Sequence, residues 1–252
     1  MTHAYRTVPG FRPLLLDLHD SAPGAPLIVF VHGGAFLGGS RATLPAVLDG
    51  LFQLLPAAGF AVASIDYRLS GEEVWPGCVE DVEAAVRWLL ARTPNARIVL
   101  WGESAGGYLA VTAGLRLSAQ GFPVRAMVDW YGPVDFLTMA EQGAPWTDDA
   151  DSPESRLLGA PVQTVPALAR LTNPCRLVTL SSPPLLVMHG TADELIPYSQ
   201  SVQLAAAYEK AGAACTVHPV DKAGHGFTGR SQREVLDPVL DFLHSVLRRH
   251  AG

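Results

Sequence analysis

Residues 97–114, RIVLWGESAGGYLAVTAG, decide how the chain is read. Ile98–Trp101 is a short, unbroken apolar run of strand length. Ala105–Ala119 reads as a helix. Between them, Gly102-Glu103-Ser104-Ala105-Gly106 has the form G-x-S-x-G. A strand that passes directly into a helix must turn sharply, which lifts Ser104 above the strand end. Such a backbone is strained, and side chains on either side of it would collide. Glycines at 102 and 106 remove that collision. A strand before and a helix after make Ser104 a candidate nucleophile rather than a simple helix N-cap.

Outward from this stretch the same rhythm repeats. Leu14–Leu18, Leu27–Val31, Phe60–Ile65, Ala126–Trp130, Leu185–Met188 and Cys215–Val220 read as further strands. Several are near-continuously apolar, as strands covered on both faces are. Leu44–Leu55, Pro76–Leu90, Ser201–Ala211 and Val235–Arg249 read as helices, with Thr43 as an N-cap and Gly212 as a C-cap. Alternating strands and helices predict an α/β fold with a mostly parallel central sheet flanked by helices. An N-terminal hairpin ending at the turn-rich SAPGAP precedes Leu27. Residues 135–182 break the rhythm with Pro, Asp and Ser. A structureless loop of that length is improbable, so the segment is expected to be a small lid insertion with short helices, after the sixth strand. No linker divides the chain, so residues 1–252 are expected to form one domain.

Composition bounds the function. The chain has 252 residues, 48% of them hydrophobic and 17% charged, with a formal net charge of −6. That excludes disorder as the dominant state. Without a basic run there is no footprint for nucleic acid. No apolar stretch reaches the 18 or so residues of a membrane helix, and MTHAYRTVPGFRP lacks the apolar core of a signal peptide. A cytoplasmic location is the expectation. Three widely spaced cysteines, Cys78, Cys175 and Cys215, suggest neither a metal site nor a disulfide framework.

A serine hydroxyl needs a base to become a nucleophile. His225, in Ala223-Gly224-His225-Gly226-Phe227, follows the last strand and precedes the last helix, where flanking glycines let a loop carry the imidazole over the sheet edge. His3, His19, His244 and His250 read as terminal or surface residues, and His218 lies within a strand. The base needs a carboxylate to orient it. Asp193 stands just past the strand end in LLVMHGTADELIP; Glu194 and Asp221 are its rivals. His32-Gly33-Gly34-Ala35-Phe36, directly after Leu27–Val31, is a glycine-rich loop able to aim backbone N–H groups at an oxyanion. The N–H of Ala105 supplies another donor.

Five blocks in order, HGGAF, DYRLSGEEVWPGCVEDVEAAVRWL, GESAGG, HGTADELIP and GHGF, resemble the hormone-sensitive-lipase-like esterase branch of the α/β hydrolase superfamily. The resemblance runs from Leu27 to the C-terminus. The order Ser104, Asp193, His225 is also that of α/β hydrolases. By position the resemblance implies oxyanion donors at Gly34, Ala35 and Ala105. The third glycine of the family's HGGG is Ala35 here, which keeps the N–H and adds a methyl that restricts the pocket. Asp66, Arg68 and Asp81 fall in blocks that read as scaffold, and Glu103 either orients the turn or faces solvent. Only 31 residues precede His32, so an N-terminal cap of the larger members is not expected. The stretch SPESRLLG is similar to compact bacterial esterases of feruloyl and acetyl-xylan types.

The expected function is hydrolysis of small to medium carboxylic esters through a Ser-His-Asp triad and an acyl-enzyme, with a small-molecule ester as partner and no cofactor or metal. Phe36 and Trp146 are the candidate substrate-binding residues, and Leu37, Trp75 and Tyr108 are further candidates for the pocket wall. Oligomeric state stays open. Two other readings remain: an arylformamidase-type amide hydrolase, from which Phe36 departs because that motif carries tryptophan there, and a non-catalytic ligand receptor on the same scaffold.

Overall fold

Leu27-Ile28-Val29-Phe30-Val31 contains no polar side chain, and every one of its residues is buried. In the computed structural model, which describes residues 1–19 and 22–248, this strand lies in the middle of an eight-stranded sheet. The strands are β1 (Thr2–Arg6), β2 (Leu14–His19), β3 (Leu27–Val31), β4 (Ala61–Ile65), β5 (Ile98–Glu103), β6 (Val124–Trp130), β7 (Leu185–Gly190) and β8 (Cys215–Val220). Their order is β1-β2-β4-β3-β5-β6-β7-β8. β1 and β2 form the expected N-terminal hairpin, and β2 pairs antiparallel with β4. From β4 to β8 every pairing is parallel.

The apolar runs are continuous because both faces of the sheet are covered. Leu27, Val29 and Val31 enter one core with α2 (Gly77–Arg92), α3 (Ala105–Ala119) and α6 (Ser199–Ala211). Ile28 and Phe30 enter the other core, with α1 (Leu51–Ala57) and α7 (Gln232–Arg248). β5 divides in the same way, Ile98 and Leu100 to one side, Val99 and Trp101 to the other. Trp101 meets Trp130 edge-on at 4.9 Å, locking β5 to β6 in the second core.

Helix limits follow local chemistry. Gly212 (φ 70°) ends α6 in the left-handed conformation, and the Ala213 N–H reaches back to the Tyr208 carbonyl. One expectation fails. Residues 44–50 are turns, and α1 begins only at Leu51, because Gly50 (φ 77°) interrupts any helix entering from Leu44. Leu44 and Ala46 are thereby left free to face the site described below. The last helix is described to Arg248; Arg249 and His250 lie outside the described residues.

Residues 135–182 between β6 and β7 carry α4 (Pro153–Leu158), α5 (Pro166–Thr172) and three single 3-10 turns. The octapeptide SPESRLLG writes a complete helix. Ser152 caps it by accepting the Ser155 N–H at 3.1 Å, Pro153 opens it, and Gly159 (φ 76°) stops it. Among the described residues no helix is long and apolar enough to cross a membrane.

The DYRL block is scaffold, as expected. The Arg68 guanidinium donates to Asp81 at 2.9 Å and to Glu73 at 2.9 Å, and Asp81 also accepts Arg6 at 2.6 Å. Asp66 accepts the Arg41 backbone N–H at 2.9 Å and its guanidinium at 3.0 Å. Cys78 is buried, and Cys175 and Cys215 are partly so.

Candidate active site

The turn from β5 into α3 places Ser104 at φ 50°, ψ −125°, a region that a non-glycine residue holds only under strain. A Cβ at Gly102 would strike the Gly106 carbonyl, and one at Gly106 would strike the carbonyls of Val31 and His32. The elbow is therefore folded onto itself and onto the end of β3, which no larger residue at either position would allow. The Ser104 N–H donates to the Trp130 carbonyl at 2.7 Å, fixing the turn to β6.

Ser104 Oγ lies 3.0 Å from His225 Nε2. His225 Nδ1 lies 2.8 Å from Asp193 Oδ2. The loop carrying His225 closes over the end of β7 because Gly190 has no side chain; a Cβ there would enter the Ala223 carbonyl. Tyr131 packs edge-on against the His225 ring at 4.8 Å and donates its hydroxyl to Glu103 at 2.7 Å. Glu103 is buried rather than solvent-facing. Burial raises its carboxyl above the ordinary value, against hydrogen bonds from Tyr131 and the Gly33 N–H.

Asp193 has the opposite balance. Burial alone would raise its acid, but bonds from His189, His225 and the Ile196 N–H outweigh burial and hold it well below the usual carboxylate range. The rivals fall away. Asp221 is exposed, its carboxylate accepting from the Thr191 hydroxyl at 3.5 Å and its carbonyl from Arg230, and Glu194 is exposed.

His189 is a part of this arrangement that the sequence reading did not single out. It is fully buried, with Nε2 2.9 Å from the Ile196 carbonyl and 3.2 Å from Asp193, and Nδ1 2.6 Å from the Ser201 hydroxyl. A carbonyl can only accept, so Nε2 carries a proton, while Nδ1 pairs with the Ser201 hydroxyl. Its signal in the sequence was a histidine four residues before the acid, at the end of a buried strand. His189→Leu is expected to strand the Ile196 carbonyl and the Ser201 hydroxyl and to destabilise the fold by about 2–4 kcal/mol. A lower urea midpoint at unchanged m checks this.

The loop after β3 is wound tightly. Gly34 (φ 114°) could not carry a Cβ without striking the Gly38 carbonyl, and Ala35 (φ 57°) and Phe36 (φ 60°) follow it in left-handed conformations. Buried His32 pins the loop: its ring stacks on Tyr67 at 4.3 Å, and Nδ1 lies 2.6 Å from the Gly33 carbonyl. Gly34, Ala35 and Ala105 all border the same cavity as Ser104 and His225.

That cavity measures about 640 Å³. Phe36 forms part of its wall while packing edge-on against Tyr108 at 5.7 Å. Trp146, 40% exposed, stands on it from the insertion. The other aromatic expectations divide. Tyr108 is core, and neither Trp75 nor Leu37 contributes to the wall. Leu44, Ala46, Pro153, Glu154, Leu195 and Ile196 do contribute, and the sequence reading named none of them. They come from three separate segments, two loops and the start of α4, and share no local pattern.

A parallel sheet covered on both faces, with a serine elbow at the carboxyl end of one strand and a histidine beyond the last, is the α/β hydrolase fold. Within it the chain belongs to the BD-FAE family, whose model matches residues 14–208. A truncated carbohydrate esterase from gut microbiota superposes with a TM-score of 0.83 at 29% identity, covering 97% of this chain and 95% of that one. A bifunctional GH43-CE protein of Bacteroides eggerthii gives 0.81 at 27% identity, over 95% of this chain and 36% of its own. Esterase LipQ of Mycobacterium tuberculosis is 30% identical over 272 residues, spanning 97% of this chain. The chain covers 62% of the length of LipQ.

Proposed function

We propose that this chain is a serine carboxylesterase acting on small to medium acyl esters. The observation that carries the reading is the continuous line from Ser104 Oγ to His225 Nε2, at 3.0 Å, and from His225 Nδ1 to Asp193 Oδ2, at 2.8 Å. His225 takes the Ser104 proton at Nε2 as the hydroxyl attacks the ester carbonyl. Asp193, held ionised, keeps the Nδ1 proton in place and stabilises the imidazolium. The N–H groups of Gly34, Ala35 and Ala105 receive the oxyanion. His225 then protonates the leaving alcohol, and water repeats the sequence on the acyl-enzyme. The chain acts as one domain, with residues 135–182 as the lid that brings Trp146 to the cavity. The esterase names of its relatives support the same reading.

The test is covalent and kinetic together. A fluorophosphonate should label the chain once, with the mass increment on the peptide carrying Ser104. Across p-nitrophenyl esters from acetate to decanoate, kcat/KM should peak among the shorter acyl chains. Absence of both labelling and ester turnover would overturn the reading.

A further inference from the structure

One carboxyl in the cavity wall has no task in the chemistry above. Glu154 stands in the first turn of α4, behind Ser152 and Pro153, and is only 4% exposed. Among the described residues, no other residue donates a hydrogen bond to its carboxyl; only its own backbone N–H faces it. Burial pushes the acid up to about 7. Of the other polar groups around the cavity, Ser104 and His225 are engaged with each other, and Glu103 with Tyr131. A buried polar group is normally partnered within the protein. A carboxyl that borders a substrate cavity with no side-chain donor of the protein on it points to a partner carried by the ligand. The 3-10 turn holding Trp146 packs against α4, so an indole face and this carboxyl border the same space.

Resting on the esterase reading, we propose that Glu154 is a specificity determinant that hydrogen-bonds a free hydroxyl of the ester substrate, with the substrate's carbon skeleton against Trp146. The site thereby selects hydroxylated esters over their hydrocarbon counterparts. A hydroxyl fits better than an ammonium group. Phe36, Pro153, Leu195 and Ile196 make much of the wall apolar, and the cavity's other carboxyl, Glu103, is already tied to Tyr131. An acid near neutrality can accept from a hydroxyl when ionised and donate to it when protonated.

Matched esters differing by one hydroxyl test this. On the alcohol side the pair is cyclohexyl acetate and trans-2-hydroxycyclohexyl acetate, with the 2-amino ester as cationic control. On the acyl side it is methyl 3-phenylpropanoate and its 4-hydroxyphenyl analogue. The wild-type chain should favour the hydroxylated member of at least one pair by about 10-fold or more in kcat/KM. Glu154→Leu should bring that ratio to about one, and Glu154→Gln, nearly isosteric, should shrink it. No preference in either pair overturns the proposal, whatever the variants do. So does a ratio unchanged in either variant, or a preference for the amine over the hydroxyl. Should no ester be cleaved, the esterase reading fails separately. Calorimetry of the same pairs on the Ser104→Ala chain then decides: tighter binding of a hydroxylated ester sustains the role of Glu154, and equal affinities end it.

Discussion

Ser104→Ala is expected to lower kcat/KM by about 10⁴-fold or more for every ester the wild-type chain cleaves. The size follows from what is removed. The hydroxyl is the atom that would bond to the acyl carbon, and nothing adjacent can replace it: His225 Nε2 faces Ser104, and the Glu103 carboxyl is tied to Tyr131. The variant loses one oxygen and gains no strain, since alanine keeps the same Cβ. Its melting temperature should match or exceed that of the wild type, because strained active-site residues are held at a cost in stability. Rate measurements at saturating and limiting substrate check the kinetic half, and thermal unfolding the other. A loss below about 10-fold would mean that turnover does not pass through Ser104.

Gly106→Ala should act on folding rather than on chemistry, and severely. The new methyl would occupy the space of the Val31 and His32 carbonyls, both backbone and both fixed by the middle strand of the sheet. A flexible side chain could yield; β3 is paired on both sides and cannot. Overpacking against backbone commonly costs about 1–3 kcal/mol and more where nothing can move. A loss of at least about 3 kcal/mol is expected here. Urea unfolding measures it. Gly121→Ala makes a useful contrast, because its added Cβ meets nothing and only its positive φ (84°) resists the substitution. Equal losses in the two variants would show that crowding at the elbow is not what holds Gly106.

The legible parts of this molecule are those with a local cause. Leu27–Val31 announced a buried strand because every residue is apolar, and Gly212 announced a helix end because only the left-handed conformation closes one there. The insertion was expected to hold short helices, but the cap and stop of α4, Ser152 and Gly159, emerged only from the structure. Residues 44–50 misled because Thr43 suits an N-cap and Pro45 a first helical turn. The decisive residue, Gly50 at φ 77°, takes a conformation that its identity permits but does not demand. The aromatics were harder still. Phe36, Trp75 and Tyr108 look alike as apolar residues near the site. Which of them faces empty space depends on how three loops pack, and only Phe36 does.

By itself the sequence determined the alternation of strands and helices, the sharp serine turn, and the chain order of serine, acid and histidine. Each is written in residues a few positions apart, where steric and periodic rules act. The tertiary structure alone decided that Ser104 and His225, 121 residues apart, meet at 3.0 Å, and that His189 rather than a nearer neighbour supports Asp193. It also decided that Glu154 stands unpaired in the cavity wall. The physical reason is range. Hydrogen bonds and excluded volume are decided within a few ångströms of space, and only the parallel sheet brings the ends of β5, β7 and β8 within that distance.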